Sequence, residues 1–169
     1  SHCSAVVYQG YEQLIKTPLS TYHTTSLTNT TETVVAAFRP EQTYNSRDNR
    51  YIYWWQYGNV ISTDNPVLLK VYVKSVIAGG TWTASTMGLE YNESATFFGG
   101  LPVYNLLVNT GETRVITTGD DGEVGGDNST DGLFRDGNVS NSDVWVVTAT
   151  NLGAGNTTVH TSTGWQRVE

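Results

Sequence analysis

The chain has 169 residues and a mass of 18.5 kDa, the size of one ordinary domain, and at that length about 70% of the extended surface can be buried on folding. Hydrophobic residues make up 38% and charged residues 15%, while Thr, Asn and Ser number 25, 13 and 13, short polar side chains that favour strands and turns over helices. A formal charge of -7 repels phosphate backbones and anionic headgroups, which sets nucleic acid aside as a partner. No apolar run approaches the roughly 18 residues of a membrane helix, so no membrane insertion is expected.

A single domain over residues 1–169 is expected, since no internal repeat and no linker interrupts the pattern. The chain begins Ser1-His2-Cys3, without an initiator Met or an apolar leader, so excision from something longer is expected, and Ser1 and His2 are compatible with a cloning remnant. Cys3 is the one cysteine, so no internal disulfide can form. Five Asn-X-Ser/Thr sequons stand at Asn29, Asn92, Asn128, Asn138 and Asn156, but several are expected by chance where these residues are so abundant. The balance favours a reducing compartment, or a bacterial or viral surface domain that does without bridges.

Period-2 patterning runs from end to end, and no window shows the spacing of an amphipathic helix beyond a turn or two. Strands are expected near Ser4 to Gln9, then over Thr33 to Phe38, Arg50 to Tyr57, Val67 to Ile77, Thr81 to Thr86, Val103 to Val108, Thr113 to Thr118, Asp143 to Thr150 and Thr157 to Thr161. The strand from Val67 is the clearest, with Val67, Leu69, Val71, Val73 and Ile77 on one face and Lys70, Tyr72 and Lys74 on the other. Turn signals fall between these runs, among them Asp64-Asn65-Pro66, Ala78-Gly79-Gly80, Phe98-Gly99-Gly100 and Asn109-Thr110-Gly111, the last reading as a tight hairpin. Gly119 to Ser142, rich in Gly, Asp, Asn and Ser, reads as a long polar surface loop. The expected fold is all-β: an antiparallel β-sandwich of jelly-roll type with one long polar loop, although strand count alone does not separate sandwich from partly open barrel.

Catalytic constellations are sparse. Gly-X-Ser-X-Gly is absent, and the available bases, His23 and His160, sit in Thr-rich strand contexts where a structural histidine is the ordinary outcome. Glu12 and Glu90 have the aromatic neighbours of glycosidase carboxylates, but neither lies in the aromatic strand motifs of the small jelly-roll xylanases, and Glu90 and Glu93 fall on opposite faces of a strand. No catalytic residue is assigned, and no enzyme is expected. The spacings among the three His and one Cys match no zinc-ligand pattern. In Asp127-Asn128-Ser129-Thr130-Asp131-Gly132 the side-chain oxygens of Asp127, Ser129 and Asp131 occupy positions 1, 3 and 5 of a calcium loop, but Asn138 stands where a bidentate Glu is needed. Calcium is the one candidate cofactor, with a plain acidic loop as the simpler reading.

Aromatic residues carry the strongest positive signal. Tyr51, Tyr53, Trp55 and Tyr57 alternate with Ile52, Trp54 and Gln56, so a strand there holds four aromatics on one face. Both faces cannot easily be core. An exposed ladder of this kind would stack on sugar rings or meet another subunit; the alternative is that the rings are buried with their hydroxyls at the rim. Trp145 reads as a core or second-sheet residue, and Trp165, near the end, as a residue that pins the terminal strand.

A Thr- and Asn-rich, acidic, all-β chain without disulfides, carrying an aromatic strand and the polar loop Gly119 to Ser142, resembles the protruding or spike domain of non-enveloped virus capsid proteins. The resemblance covers the whole chain and implies a sandwich, self-association as homodimer or homotrimer, attachment to a host receptor or glycan without catalysis, and a place at the virion surface. Tyr51, Tyr53, Trp55 and Tyr57 are the expected ligand- or receptor-binding residues. A carbohydrate-binding module of a secreted microbial enzyme, hence extracellular, is the first alternative and a small jelly-roll glycosidase the second.

Overall fold

A computed structural model describes residues 16–117 and 143–168, and among these there are strands and turns but no helix. In chain order the strands are β1 (Lys16–Leu27), β2 (Thr33–Pro40), β3 (Thr43–Tyr44), β4 (Arg47–Asp48), β5 (Ile52–Ser62), β6 (Val67–Ala78), β7 (Trp82–Ala84), β8 (Leu89–Asn92), β9 (Thr96–Val108), β10 (Arg114–Thr117), β11 (Trp145–Asn151) and β12 (Thr157–Val168). They form a four-stranded sheet in the order β1-β12-β5-β10 and a six-stranded sheet in the order β7-β8-β2-β11-β6-β9, with β3 and β4 as a small separate hairpin. The sheets pack face to face as an antiparallel β-sandwich, as the patterning predicts.

The connectivity has a simple rule. The long strands of the first half pair antiparallel with those of the second half in reverse order: β1 with β12, β2 with β11, β5 with β10 and β6 with β9. The chain is thus a doubled ribbon folded over itself. The first pair runs the full length of β1, from Lys16 opposite Val168 to Leu27 opposite Thr157. β7 and β8 are an addition that extends the larger sheet beyond β2.

The core lies between the sheets. Phe38 of β2 and Trp145 of β11 meet Trp55 of β5 and Trp165 of β12, with the Phe38 and Trp165 rings 5.0 Å apart and those of Trp145 and Trp165 5.7 Å apart. Burying four large rings in one place supplies much of the apolar area the sandwich needs. β2 and β11 are buried on both faces, because Val34, Ala37 and Val146 turn away from this core into a second cluster with Ile77, Trp82, Phe97 and Val144. Strands covered on both sides lose the in-out alternation and read as continuous apolar runs.

Three expectations need correction. β1 was not among the expected strands, since its inward positions Thr21, His23 and Thr25 are polar. The Val67 strand keeps its phase to Val73, which packs against the main core; Lys74 has φ of 50°, pairing with β9 slips there, and Ile77 joins the second cluster instead of the main core. Asn109-Thr110-Gly111 is a turn, with Gly111 at φ of 71°, but not a hairpin. It carries the chain from β9 in one sheet to β10 in the other, where Arg114 to Thr117 pair with β5. The expected strand at Ser4 to Gln9 and the loop Gly119 to Ser142 lie outside the described residues.

Candidate functional site

Tyr51, just before β5, and Tyr53, Trp55 and Tyr57 within it do not form one exposed face. Tyr53 and Trp55 are fully buried in the main core, and Tyr51 packs half-buried against it. The Tyr53 hydroxyl donates to the Met87 carbonyl at 2.7 Å and accepts from the Asn49 amide, and burial pushes its pKa above the usual range. Tyr51 lies under the Arg167 guanidinium, 4.3 Å from the ring centre, where a cation meets the negative face of the ring. For Tyr53 and Trp55 an exposed contact role is overturned: ring bodies inside, with the one phenol bonded at the rim, is what the packing produces.

Tyr57 goes elsewhere, and the reason is one residue. On β12, Trp165 lies opposite Trp55 and Gly164 opposite Tyr57, so Gln56 has no counterpart and forms a β-bulge. The extra residue reverses the alternation, so Tyr53 and Trp55 point in, Tyr57 points out, and Gly58, Val60 and Ser62 point in again. The Tyr57 ring then lies against Gly164, where a Cβ would overlap its carbons. The rest of the side chain faces solvent, with 44% of its surface exposed.

A hollow of about 510 Å³ opens beside it, lined by Pro18, Leu19 and Ser20 of β1, Gln56 and Tyr57 of β5, and Trp165 and Gln166 of β12. That volume is in the range of small-molecule sites. Tyr22, further along β1, bonds its hydroxyl to His160 Nδ1 at 2.6 Å, with the two rings nearly parallel and their centres 6.1 Å apart. The sequence signals for this place were Gly58 and Gly164, since a glycine inside a strand marks a bulge or a close approach.

One polar chain has the order of a hydrolytic triad. His23 Nδ1 is 2.6 Å from Glu93 Oε1, His23 Nε2 is 2.9 Å from Thr21 Oγ1, and Thr21 Oγ1 is 2.5 Å from Thr163 Oγ1, which accepts the Trp165 indole N–H at 3.0 Å. With Nδ1–H donating to the carboxylate, every hydroxyl in the row can donate toward His23. The histidine is buried between Phe38 and Tyr91, and its neighbour Thr21 is already bonded to Thr163. A nucleophile needs a free face toward substrate; this row spans the packed interior and orients the strands.

Among the carboxylates singled out in the sequence, Glu90 bonds Arg39 Nε, and the Arg39 guanidinium lies 3.8 Å from the centre of the Trp82 ring. Glu41 is pushed up by burial and then by the charge of Glu90. Glu12, Asp127, Ser129 and Asp131 lie outside the described residues; among the described residues no group of three His, Cys, Asp or Glu side chains is placed to hold a metal.

A second exposed feature lies at the sheet edge. β9 is the outermost strand of the larger sheet, its sequence Thr-Phe-Phe-Gly-Gly-Leu-Pro-Val-Tyr-Asn-Leu-Leu-Val carries no charge, and Phe98 and Leu107 are 67% and 64% exposed. Leu101 and Val103 are exposed on the same strand, as is Val115 on β10, the edge of the other sheet. Sequence reading had assigned Val103 to Val108 as a strand without seeing that it would be an edge.

No protein-family model and no curated protein sequence matches this chain. Among solved structures, it is similar to chains in the structures of infectious bursal disease virus strain Gt, at 12% identity over 93% of this chain and 42% of that one with a TM-score of 0.24, and strain Gx, at 9% identity over 91% and 41% with a TM-score of 0.22. The chain spans about two fifths of the length of those viral chains. Scores this low carry no weight for fold or function.

Proposed function

We propose that this chain is a non-catalytic surface module of a virus capsid, a jelly-roll sandwich that works by contact: with another subunit through β9, and with a host receptor through the outer face of the four-stranded sheet. The observation that carries the reading is the β9 edge. Natural edge strands are usually protected by charge, and exposed contiguous apolar surface on a soluble domain marks an interaction site. Here Phe98, Leu101, Val103 and Leu107 are exposed along a strand without a single charged residue. Pro102 lacks an N–H and pairing with β6 slips at three places, so the partner meets apolar side chains more than it adds a strand. The proposed partner is a second copy of the chain, in a homodimer or homotrimer, and the proposed location of the module is the virion surface.

Light scattering on the purified chain tests this. A symmetric oligomer that dissociates in Leu107→Glu, with the melting curve retained, supports the reading; a monomer at all accessible concentrations, or an oligomer indifferent to Leu107→Glu and Phe98→Glu, overturns the β9 contact. A carbohydrate-binding module of a secreted enzyme would be monomeric and would keep the same sheet face for sugar.

A further inference from the structure

We propose that the hollow beside Tyr57 is a binding site for a neutral saccharide, with the sugar ring stacked on Tyr57 and its hydroxyls bonded by the side chains of Gln166 and Ser20. The proposal names the ligand class for the attachment half of the function above and rests on that half, but not on the β9 contact, which belongs to the other sheet.

The first argument is the platform. A sugar presents C–H groups on one face and hydroxyls around its rim, so it needs a flat aromatic surface that does not move, flanked by amides. Tyr57 offers that surface: one part of its ring is seated on Gly164, where any side chain would collide, and the remainder is open to solvent. An exposed tyrosine with no seat would give up rotamer freedom on binding; this one has already lost it.

The second argument is the bulge. Without the extra residue at Gln56, Tyr57 would follow Tyr53 and Trp55 into the core. The bulge places Tyr57 and Gln56 together at the hollow, and bulges are devices for re-aiming side chains at sites.

The third argument is chemical selection. Among the described residues no Asp, Glu, Lys or Arg lines the hollow, so none of them neutralises a carboxylate or sulfate, and an anionic sugar or phosphate is disfavoured. A primary amide and a hydroxyl beside an aromatic ring suit a polyol better than a hydrocarbon. An extended peptide binds by adding backbone to a sheet edge, whereas this hollow is lined across three neighbouring strands, β1, β12 and β5.

Titration of the isotopically labelled chain with methyl glycosides of galactose, mannose, fucose, N-acetylglucosamine and N-acetylgalactosamine, with sialyllactose as the anionic control, tests the site by NMR. Saturable shifts at Gln56, Tyr57 and Gln166 with at least one neutral glycoside are expected, weakened at least about tenfold in Tyr57→Ala, largely retained in Tyr57→Phe, and reduced in Gln166→Ala. Melting curves of the variants guard against loss of fold, and Gln166→Ala keeps the test open if Tyr57→Ala unfolds. Leu107→Glu is expected to bind sugar as the parent does, whatever it does to self-association. The proposal is overturned if no neutral glycoside binds, if binding survives Tyr57→Ala unchanged, or if only sialyllactose binds. Sialyllactose binding at another surface would leave the attachment reading standing, and self-association read by light scattering stands or falls separately.

Discussion

The His23 imidazole is wholly inside the sandwich, yet its Nδ1 stands 2.6 Å from a Glu93 oxygen whose side chain reaches solvent. Two influences on its protonation therefore oppose each other, and burial, which disfavours the charged ring, exceeds the raising effect of Glu93. The net pKa lies below the ordinary 6.5. Because the unfolded chain takes up a proton at a higher pH than the folded one, the native state is favoured above about pH 6.5 and loses stability as pH falls below it toward the depressed folded value. Urea melts between about pH 7 and pH 5 should show this fall, and His23→Gln should flatten it. Glu93→Gln, which removes the raising influence, should steepen it. Stability that rises on acidification through His23 would contradict the balance.

Phe38 touches His23, Trp55 and Trp165, with ring centres 5.4, 6.3 and 5.0 Å away. Phe38→Ala should cost about 3–5 kcal/mol, because three rings fixed on the facing four-stranded sheet cannot collapse into the space left behind. Chemical denaturation measures this, and a cost below about 1 kcal/mol would mean that the two sheets do not meet at Phe38.

Gly164→Ala adds one methyl where the Tyr57 ring lies. The ring must leave its seat, at a cost of about 1–3 kcal/mol, as for other overpacked sites. The double change Gly164→Ala with Tyr57→Ala should recover most of that loss, since the collision is gone. A double-mutant cycle checks the coupling, and additive costs would separate Gly164 from Tyr57.

Polysaccharide cleavage is not expected. Glu90 is held by Arg39, and Glu90→Gln should lower stability through the Arg39 and Trp82 contact without altering any reaction. Reducing-sugar assays on xylan, cellulose and mannan should stay at background for the intact chain, and cleavage abolished by Glu90→Gln would restore the glycosidase alternative.

Calcium at Asp127, Ser129 and Asp131 has its own check. The simple acidic-loop reading predicts that a chelator leaves Tm unchanged; a Tm that falls on chelation and returns with added calcium would assign a site, since an ion bound only to the native state stabilises it by mass action.

How much of this was legible in sequence depends on which signal each residue leaves. Val67, Leu69 and Val71 alternate cleanly and are legible as a core face, as is the buried position of Trp145. β1 left no apolar period, because Thr21 and His23 face inward and are satisfied by Thr163 and Glu93, partners far along the chain. Periodicity also assumes an unbroken strand. A single extra residue at Gln56 was enough to send Tyr57 away from Tyr53 and Trp55, and its trace, Gly58 with Gly164, becomes meaningful only once β5 is known to lie beside β12. The Asn109-Thr110-Gly111 turn shows the same limit: local chemistry announces the reversal but not which sheet receives the next strand.

The zipping of β1 onto β12 has a practical corollary. Lys16 and Val168 are neighbours across a strand pair, so the backbone enters and leaves the described fold through a single doorway, with a gap of about 5 Å between its posts. A cassette with that geometry can be grafted into a surface loop of an unrelated host protein with short flexible stems, leaving both partners to fold undisturbed. Displayed in this way on a particle of known symmetry, the sandwich would have both of its exposed surfaces presented outward in many copies.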